Sequence, residues 1–268
     1  MTTPHILLIG GHGKVAQFMT PLLLARSWAV TSLIREQAQV PTIEKLGAGQ
    51  PGKLNVLVRS LEDVKSEGDA AKILGEVGPT GVVWSAGAGG RGGPSTTYAI
   101  DRDAAKAFIA ASVSSPSITS FLMVSWLGSR RVKPSWWSDA DWAGARHTFT
   151  QGLPTYADAK LAADEYLVAA AKKRGHGFRA INLRPGLLSE EPSRGKVQLG
   201  RTKTYGGKAS RELVAQTAVE LLASGYRGGW LDLLDGEEGL KEAVERVTRE
   251  GVDVIEGEDV EAMGKIEV

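Results

Sequence analysis

An apolar run of strand length, His5-Ile-Leu-Leu-Ile9, passes directly into Gly10-Gly11-His12-Gly13-Lys14-Val15-Ala16, where a helical pattern begins. A strand, a glycine bend and a helix without an intervening loop leave few ways for the chain to continue. The first glycines permit a tight turn and a close approach to the main chain, and Ala16 keeps the helix near the strand. The free N–H groups at the start of the helix favour an anion. The spacing Gly-Gly-x-Gly-x-x-Ala therefore predicts a dinucleotide-binding turn, with a pyrophosphate cupped by Gly10, Gly11, His12, Gly13, Lys14 and Val15.

The same rhythm recurs downstream. Further strand-length apolar runs lie at 29–34, 54–58, 81–85, 120–125, 178–183 and 230–234. Helical patterns lie near 13–26, 61–74, 97–113, 155–174, 211–223 and 237–250. Continuous rather than alternating apolar character means burial on both faces, hence parallel strands. The expected fold is α/β, a Rossmann-type doubly wound parallel sheet with a small C-terminal substrate-side region. At 268 residues, one dinucleotide-binding domain over 1–250 is expected, followed by an acidic and mobile tail, 251–268. Two stretches break the rhythm after the fifth and sixth strands: 126–154, with four tryptophans, and the basic, Gly-rich 185–209. Ligands of open α/β sheets bind outside the carboxyl ends of strands, so both insertions emerge where a substrate would sit.

Several function classes drop out on composition. A formal net charge of +1 gives no concentrated basic face for nucleic acid. The balance is uneven, with 13 acidic and 4 basic residues from Asp232 onward and 11 Lys or Arg against 2 Glu between Lys172 and Arg211. Such a balance reads first as solvated loops and an acidic terminal helix, and second as a cleft that attracts anions such as a phosphorylated cofactor. There is no cysteine, so disulfides and thiolate chemistry are absent, and the four histidines lack metal-ligand spacing. No apolar stretch approaches the length of a membrane span, and no signal pattern opens the chain. A cytoplasmic protein without a bound metal is expected.

Three further segments carry chemistry. The second strand ends Ser32-Leu33-Ile34-Arg35, with no acid before the arginine. An acid there would bond a ribose 2′-hydroxyl, whereas arginine pairs with a 2′-phosphate, which favours NADP (NADPH) over NAD. After the fourth strand, Ser85-Ala86-Gly87-Ala88-Gly89-Gly90 is small enough for a flat ligand to approach the backbone. Finally, Thr155-Tyr156-Ala157-Asp158-Ala159-Lys160 follows Pro154. Thr155 with Asp158 predicts a capping box opening a helix. Tyr156 and Lys160 then share one face, where an ammonium eases ionisation of a phenol and makes it a proton donor or acceptor.

On these residues the chain resembles the short-chain dehydrogenase/reductase superfamily, in its atypical, NAD(P)-binding, epimerase-like branch, including fungal-type members. The likeness spans roughly residues 4–250 and is carried also by Val124-Ser125, Ile100-Asp101-Arg102-Asp103, Arg184-Pro185-Gly186 and Ser210-Arg211-Glu212-Leu213-Val214-Ala215. It implies Tyr156 as general acid/base, Lys160 holding the nicotinamide ribose, and Ser125 bonding a substrate oxygen. It implies cofactor contacts also from Ser60, Leu61, Ser85, Ala86, Gly87 and Pro185. Three positions depart from the pattern. Trp126 stands where the second serine of a Ser-Ser pair often acts, which brings in Ser129 as an alternative. Ser60 replaces an adenine-side Asp, and Asp101 replaces an Asn. The function expected is an NADP-dependent oxidoreductase acting on a small carbonyl or alcohol, apolar or aromatic given the tryptophans. The alternatives are an NAD(P)-using epimerase or dehydratase, and a non-catalytic dinucleotide-sensing regulator. The oligomeric state is not legible.

Overall fold

A computed structural model describes residues 3–89 and 92–267. The first half alternates β1 (His5–Ile9), α1 (Lys14–Ala25), β2 (Ala29–Ile34), α2 (Val40–Leu46), β3 (Leu54–Val58), α3 (Glu67–Val77) and β4 (Gly81–Trp84). A long helical stretch follows: α4 (Gly93–Thr97), a π-helical segment Tyr98–Ala104, and α5 (Ala105–Ser114). Next come β5 (Ser120–Val124), α6 (Asp139–His147), a second π-helical segment Thr148–Gly152, and α7 (Pro154–Arg174). The last third holds β6 (Arg179–Pro185), β7 (Leu187–Ser189), β8 (Lys196–Gly200), β9 (Lys208–Ser210) and α8 (Arg211–Ala223). It closes with β10 (Gly229–Asp235), β11 (Glu238–Gly239), α9 (Leu240–Glu250) and α10 (Val260–Met263).

Nine strands form one sheet in the order β11-β8-β10-β6-β5-β4-β1-β2-β3. From β10 to β3 neighbours run parallel, and only β8 lies antiparallel, against β10 and β11. The fold is thus the expected Rossmann-type α/β sheet. The reversal of strand order between β1 and β4 puts a crevice at their carboxyl ends. Apolar residues cover both faces: Leu8, Val83 and Leu122 pack with α1 and α8, while Leu7, Val82 and Phe121 pack with α3, α5 and α7. Burial on both faces explains why these strands read as unbroken apolar runs.

Three local expectations change. The Thr155–Asp158 capping box does not form; α7 starts at Pro154 with no side-chain cap, and Asp158 faces Tyr98 instead. A π-helical segment precedes α7, closed by Leu153 donating to the Thr148 carbonyl. The acidic stretch after residue 250 is packed rather than free: Val254 and Met263 are buried with Trp230. Glu258 accepts hydrogen bonds from the Arg131 and Val132 N–H groups. The tryptophans are partly core, since Trp137 is buried with Leu127, Ala145 and Leu234, and Trp136 and Trp142 rest on that cluster.

The two insertions fasten to one another. Asp141, in the first turn of α6, accepts from Thr204 Oγ1 at 2.5 Å and from the Tyr205 N–H at 2.9 Å. Tyr205 also meets Trp126 and Trp137 edge-on, with ring centroids 6.3 and 5.8 Å apart. Among the described residues no helix is long and apolar enough to cross a membrane.

Candidate functional site: a dinucleotide cleft with a buried tyrosine–lysine–aspartate cluster

At the end of β1 the chain turns through Gly10 at φ +82°, a region closed to most side chains. A β-carbon on Gly10 would come within 2.6 Å of the Ala86 backbone, and one on Gly11 within 1.8 Å of Ser32 Oγ. The turn is therefore pressed between the ends of β2 and β4. Gly10 and Gly11 both donate to the Leu33 carbonyl, and Gly13 donates back to Gly10. Gly13 is the N-cap of α1 and offers no side-chain acceptor, nor does the first turn contain an acidic residue. The N–H groups of Lys14, Val15 and Ala16 precede the first intrahelical bond, which Gln17 makes to Gly13. This cradle fits a diphosphate: it is narrow, bare of side chains and positive.

The other positions expected to face a cofactor lie at the carboxyl ends of the parallel strands. Arg35 is exposed and pairs with Glu36 at 2.7 Å. The register of Ile34 with Val58 sets Arg59 beside Arg35, a neighbour that local sequence did not reveal. Ser60 caps a short 3-10 turn by accepting from Glu62, and Leu61 begins that turn half-buried. Ser85 donates to the Ile9 carbonyl, and Ala86 abuts Gly10. Gly87 lies against the Asp101 carboxylate, while Gly90 lies outside the described residues. The Pro185 carbonyl accepts from the Leu127 N–H, which ties the end of β6 to the loop after β5. His12 is exposed, and its carbonyl accepts from Gln17. Lys14 pairs with Glu190 at 2.6 Å, and Glu190 also accepts from Arg211.

Several chemistry-bearing side chains converge where Lys160 of α7 meets the end of β5. Tyr156 is half-buried, and Lys160, one turn on, is fully enclosed. The Lys160 ammonium sits 5.8 Å from the Tyr156 ring centroid. It lies 3.4 Å from Asp101 Oδ1 and donates to the Val124 carbonyl at 3.4 Å. Asp101 belongs to the first π-helical segment, and its other oxygen accepts the Ala88 N–H at 2.9 Å. Burial raises the Tyr156 phenol above its ordinary value; Lys160 opposes the rise, and Asp101 and Asp164 add to it. Burial works against the Lys160 charge, yet Asp101, Tyr156 and Asp164 together hold it above the ordinary lysine value.

Ser125 faces inward. Its hydroxyl donates to Asp164 Oδ2 at 2.6 Å, one turn beyond Lys160 on α7. Burial raises the Asp164 carboxyl against the pull of Arg184 and of Ser125, Ser129 and Asn182. Ser129 is fully buried as well. The indole of Trp126, between them, packs against Tyr156 with ring centroids 6.2 Å apart. Asp164 and Tyr205 were not singled out from sequence. Asp164 could have been found four residues after Lys160 on the same helix face, whereas nothing local marks Tyr205.

Behind this cluster lies a fully buried charged group. Asp232 receives Arg184 at 3.0 Å and Arg130 at 3.2 Å, and Arg130 also donates to the Val254 carbonyl. Burial and the neighbouring Arg130 pull Arg184 down to about 10. Among the described residues no group of His, Cys, Asp or Glu could hold a metal ion.

The model of a family described as NAD(P)H-binding matches residues 10–225. A UPF0659 protein of Schizosaccharomyces pombe is 32% identical over 217 residues, covering 80% of this chain and 82% of that one. An uncharacterized sugar epimerase of Bacillus subtilis is 28% identical over 245 residues, covering 90% and 99%. Among solved structures, a putative NAD-dependent epimerase/dehydratase from Bacillus halodurans superposes with TM-score 0.71 at 24% identity, over 91% of this chain and 99% of that one. The chain belongs to the NAD(P)H-binding family and has a fungal relative.

Proposed function

We propose that this protein is an NADP-dependent oxidoreductase acting on a carbonyl or alcohol, with Tyr156 as general acid/base. The observation that carries it is the Tyr156–Lys160–Asp101 cluster, whose Asp101 abuts Gly87 in the loop that also abuts the Gly10 turn through Ala86. Gly10, Gly11, His12, Gly13, Lys14 and Val15 hold the diphosphate, and Ser85, Ala86 and Gly87 lie along the nucleotide. Ser60 and Leu61 lie on the adenine side, and Pro185 on the nicotinamide side. Arg35, with Arg59 beside it, meets the 2′-phosphate, which is the basis for preferring NADP. When bound, the reduced nicotinamide supplies a hydride.

Tyr156 supplies the matching proton to the substrate oxygen, and Lys160 holds the adjoining ribose and keeps positive charge under the phenol. Ser125 braces this arrangement from behind through Asp164, because its hydroxyl hydrogen is already committed there. The walls suit an apolar or aromatic substrate, since Trp126 presents its ring next to Tyr156 and Tyr205 lies edge-on to Trp126.

Purified protein titrated with NADPH and NADH, then assayed for nicotinamide oxidation across a carbonyl panel, tests this reading. Tighter NADPH binding with carbonyl-dependent oxidation supports it. Binding of neither nucleotide refutes it.

The likeness to a sugar epimerase favours one second reading, in which the same tyrosine and lysine serve an epimerisation. Substrate conversion without net change in cofactor redox state would select that reading.

A further inference from the structure

Lys160 does not act on Tyr156 alone. Its ammonium and the Asp101 carboxylate are 4% and 1% exposed, and apart from their ion pair Asp101 Oδ1 accepts no hydrogen bond. One turn along α7, Asp164 is also buried, with Ser125 donating to Oδ2. Two carboxylates thus flank one ammonium in a space closed to water, where charges act more strongly than at a surface.

We propose that Asp101 is a positioning residue: by holding the Lys160 ammonium it keeps Tyr156 a protonated phenol, so that the site works as a proton donor, in the reducing direction. This rests on the oxidoreductase reading. In that direction the Tyr156 O–H bond breaks as the substrate O–H bond forms. The carbonyl carbon gains the hydride that reduced dinucleotide supplies, and the phenolate left behind takes its proton back from solvent.

The surrounding charges leave Asp101 as the direct partner. From β6, Arg184 faces Asp164. From the π-helical segment, Tyr98 and Arg102 face Asp158 on the outer side of α7. From the loop after β5, Arg131 pairs with Glu165. The rise of the Tyr156 phenol with burial and with both carboxylates agrees with this arrangement. The tie from Asp101 to the Ala88 N–H fixes the carboxylate to the cofactor-side loop as well.

The test is a tyrosinate absorbance titration of cofactor-free protein, with Tyr156→Phe subtracted to isolate one phenol. Wild-type Tyr156 is expected to ionise above 10.0, the ordinary value. In Asp101→Asn, which can still accept the Ala88 N–H, it is expected to ionise about one pH unit lower or more. Asp101→Glu, which keeps the charge, is expected to titrate like wild type, a distinction that a merely structural role would not produce. The alkaline limb of carbonyl reduction should shift with the phenol.

Equal titration of wild type and Asp101→Asn, or equal shifts in Asp101→Asn and Asp101→Glu, would overturn the proposal. If Asp101→Asn loses its fold by circular dichroism, Asp101→Ser takes its place with the same expectation. If the wild-type phenol stays protonated up to alkaline unfolding, the substituted protein must ionise before that point. Because the titration needs no cofactor, a missing shift removes only this inference. A normal shift without carbonyl turnover removes the oxidoreductase reading instead.

Discussion

The β-carbon that Gly11 lacks would fall 1.8 Å from Ser32 Oγ, so a buried side chain on β2 decides which residue the diphosphate turn can carry. Ser32 Oγ is itself buried without a hydrogen-bond partner. Gly11→Ala should therefore cost about 1–3 kcal/mol of stability by overpacking, and should weaken dinucleotide binding as the turn shifts. Ser32→Gly in the same chain should recover part of both losses. Thermal denaturation and nucleotide titration check this; an unchanged melting temperature in Gly11→Ala would contradict it.

Arg35 is exposed and paired only with its neighbour Glu36, so its removal leaves no buried partner stranded. Arg35→Leu should leave the fold intact and weaken NADPH by about 10–100-fold more than NADH. That range corresponds to a charge-assisted hydrogen bond of roughly 1.5–3 kcal/mol. Calorimetric titration with both nucleotides measures the ratio directly.

Tyr156→Phe keeps the ring that packs on Trp126 and removes only the acid. Turnover on any substrate found for the wild type should fall by about 10²–10⁴. Nucleotide affinity should be unchanged. A variant with full turnover would remove Tyr156 from the proton path.

Asp232 is the shared partner of two wholly buried arginines. Asp232→Asn takes away the ion-pair partner that both guanidinium groups share and should cost about 3–5 kcal/mol. Denaturant unfolding reads that loss. A near-neutral effect would show that the two arginines are satisfied by other groups.

Hydrogen bonds from Ser138 and Thr204 hold the Asp141 carboxyl below its ordinary value of 3.8, against a small opposing effect of burial. A carboxyl with a depressed folded pKa adds stability above its unfolded value and loses it as pH falls through the folded one. The joint between the two insertions should therefore be firm at neutral pH and weaken only below about 4. Tryptophan fluorescence followed across that acid range checks it, and Asp141→Asn should remove the dependence.

The strands and most helices are legible because burial on both sheet faces is written locally, as unbroken apolar runs such as Val82-Val83-Trp84. The glycine bend is legible for the same reason, since its geometry depends on its own residues. Tyr156 and Lys160 meet because helical spacing puts i and i+4 on one face. Asp101 is visible only as a departure from a pattern, and the antiparallel β8 and the docked C-terminal segment are not visible at all.

By itself, then, the sequence determined the sheet, the cofactor turn and the tyrosine–lysine face, because each follows from residues that are neighbours along the chain. Tertiary structure alone decided that Lys160 pairs with Asp101, that Ser125 turns toward Asp164, and that Tyr205 closes against Trp126. Those contacts join segments far apart in sequence. Which way a side chain points at a strand end is settled by what packs against it, and no local periodicity encodes that.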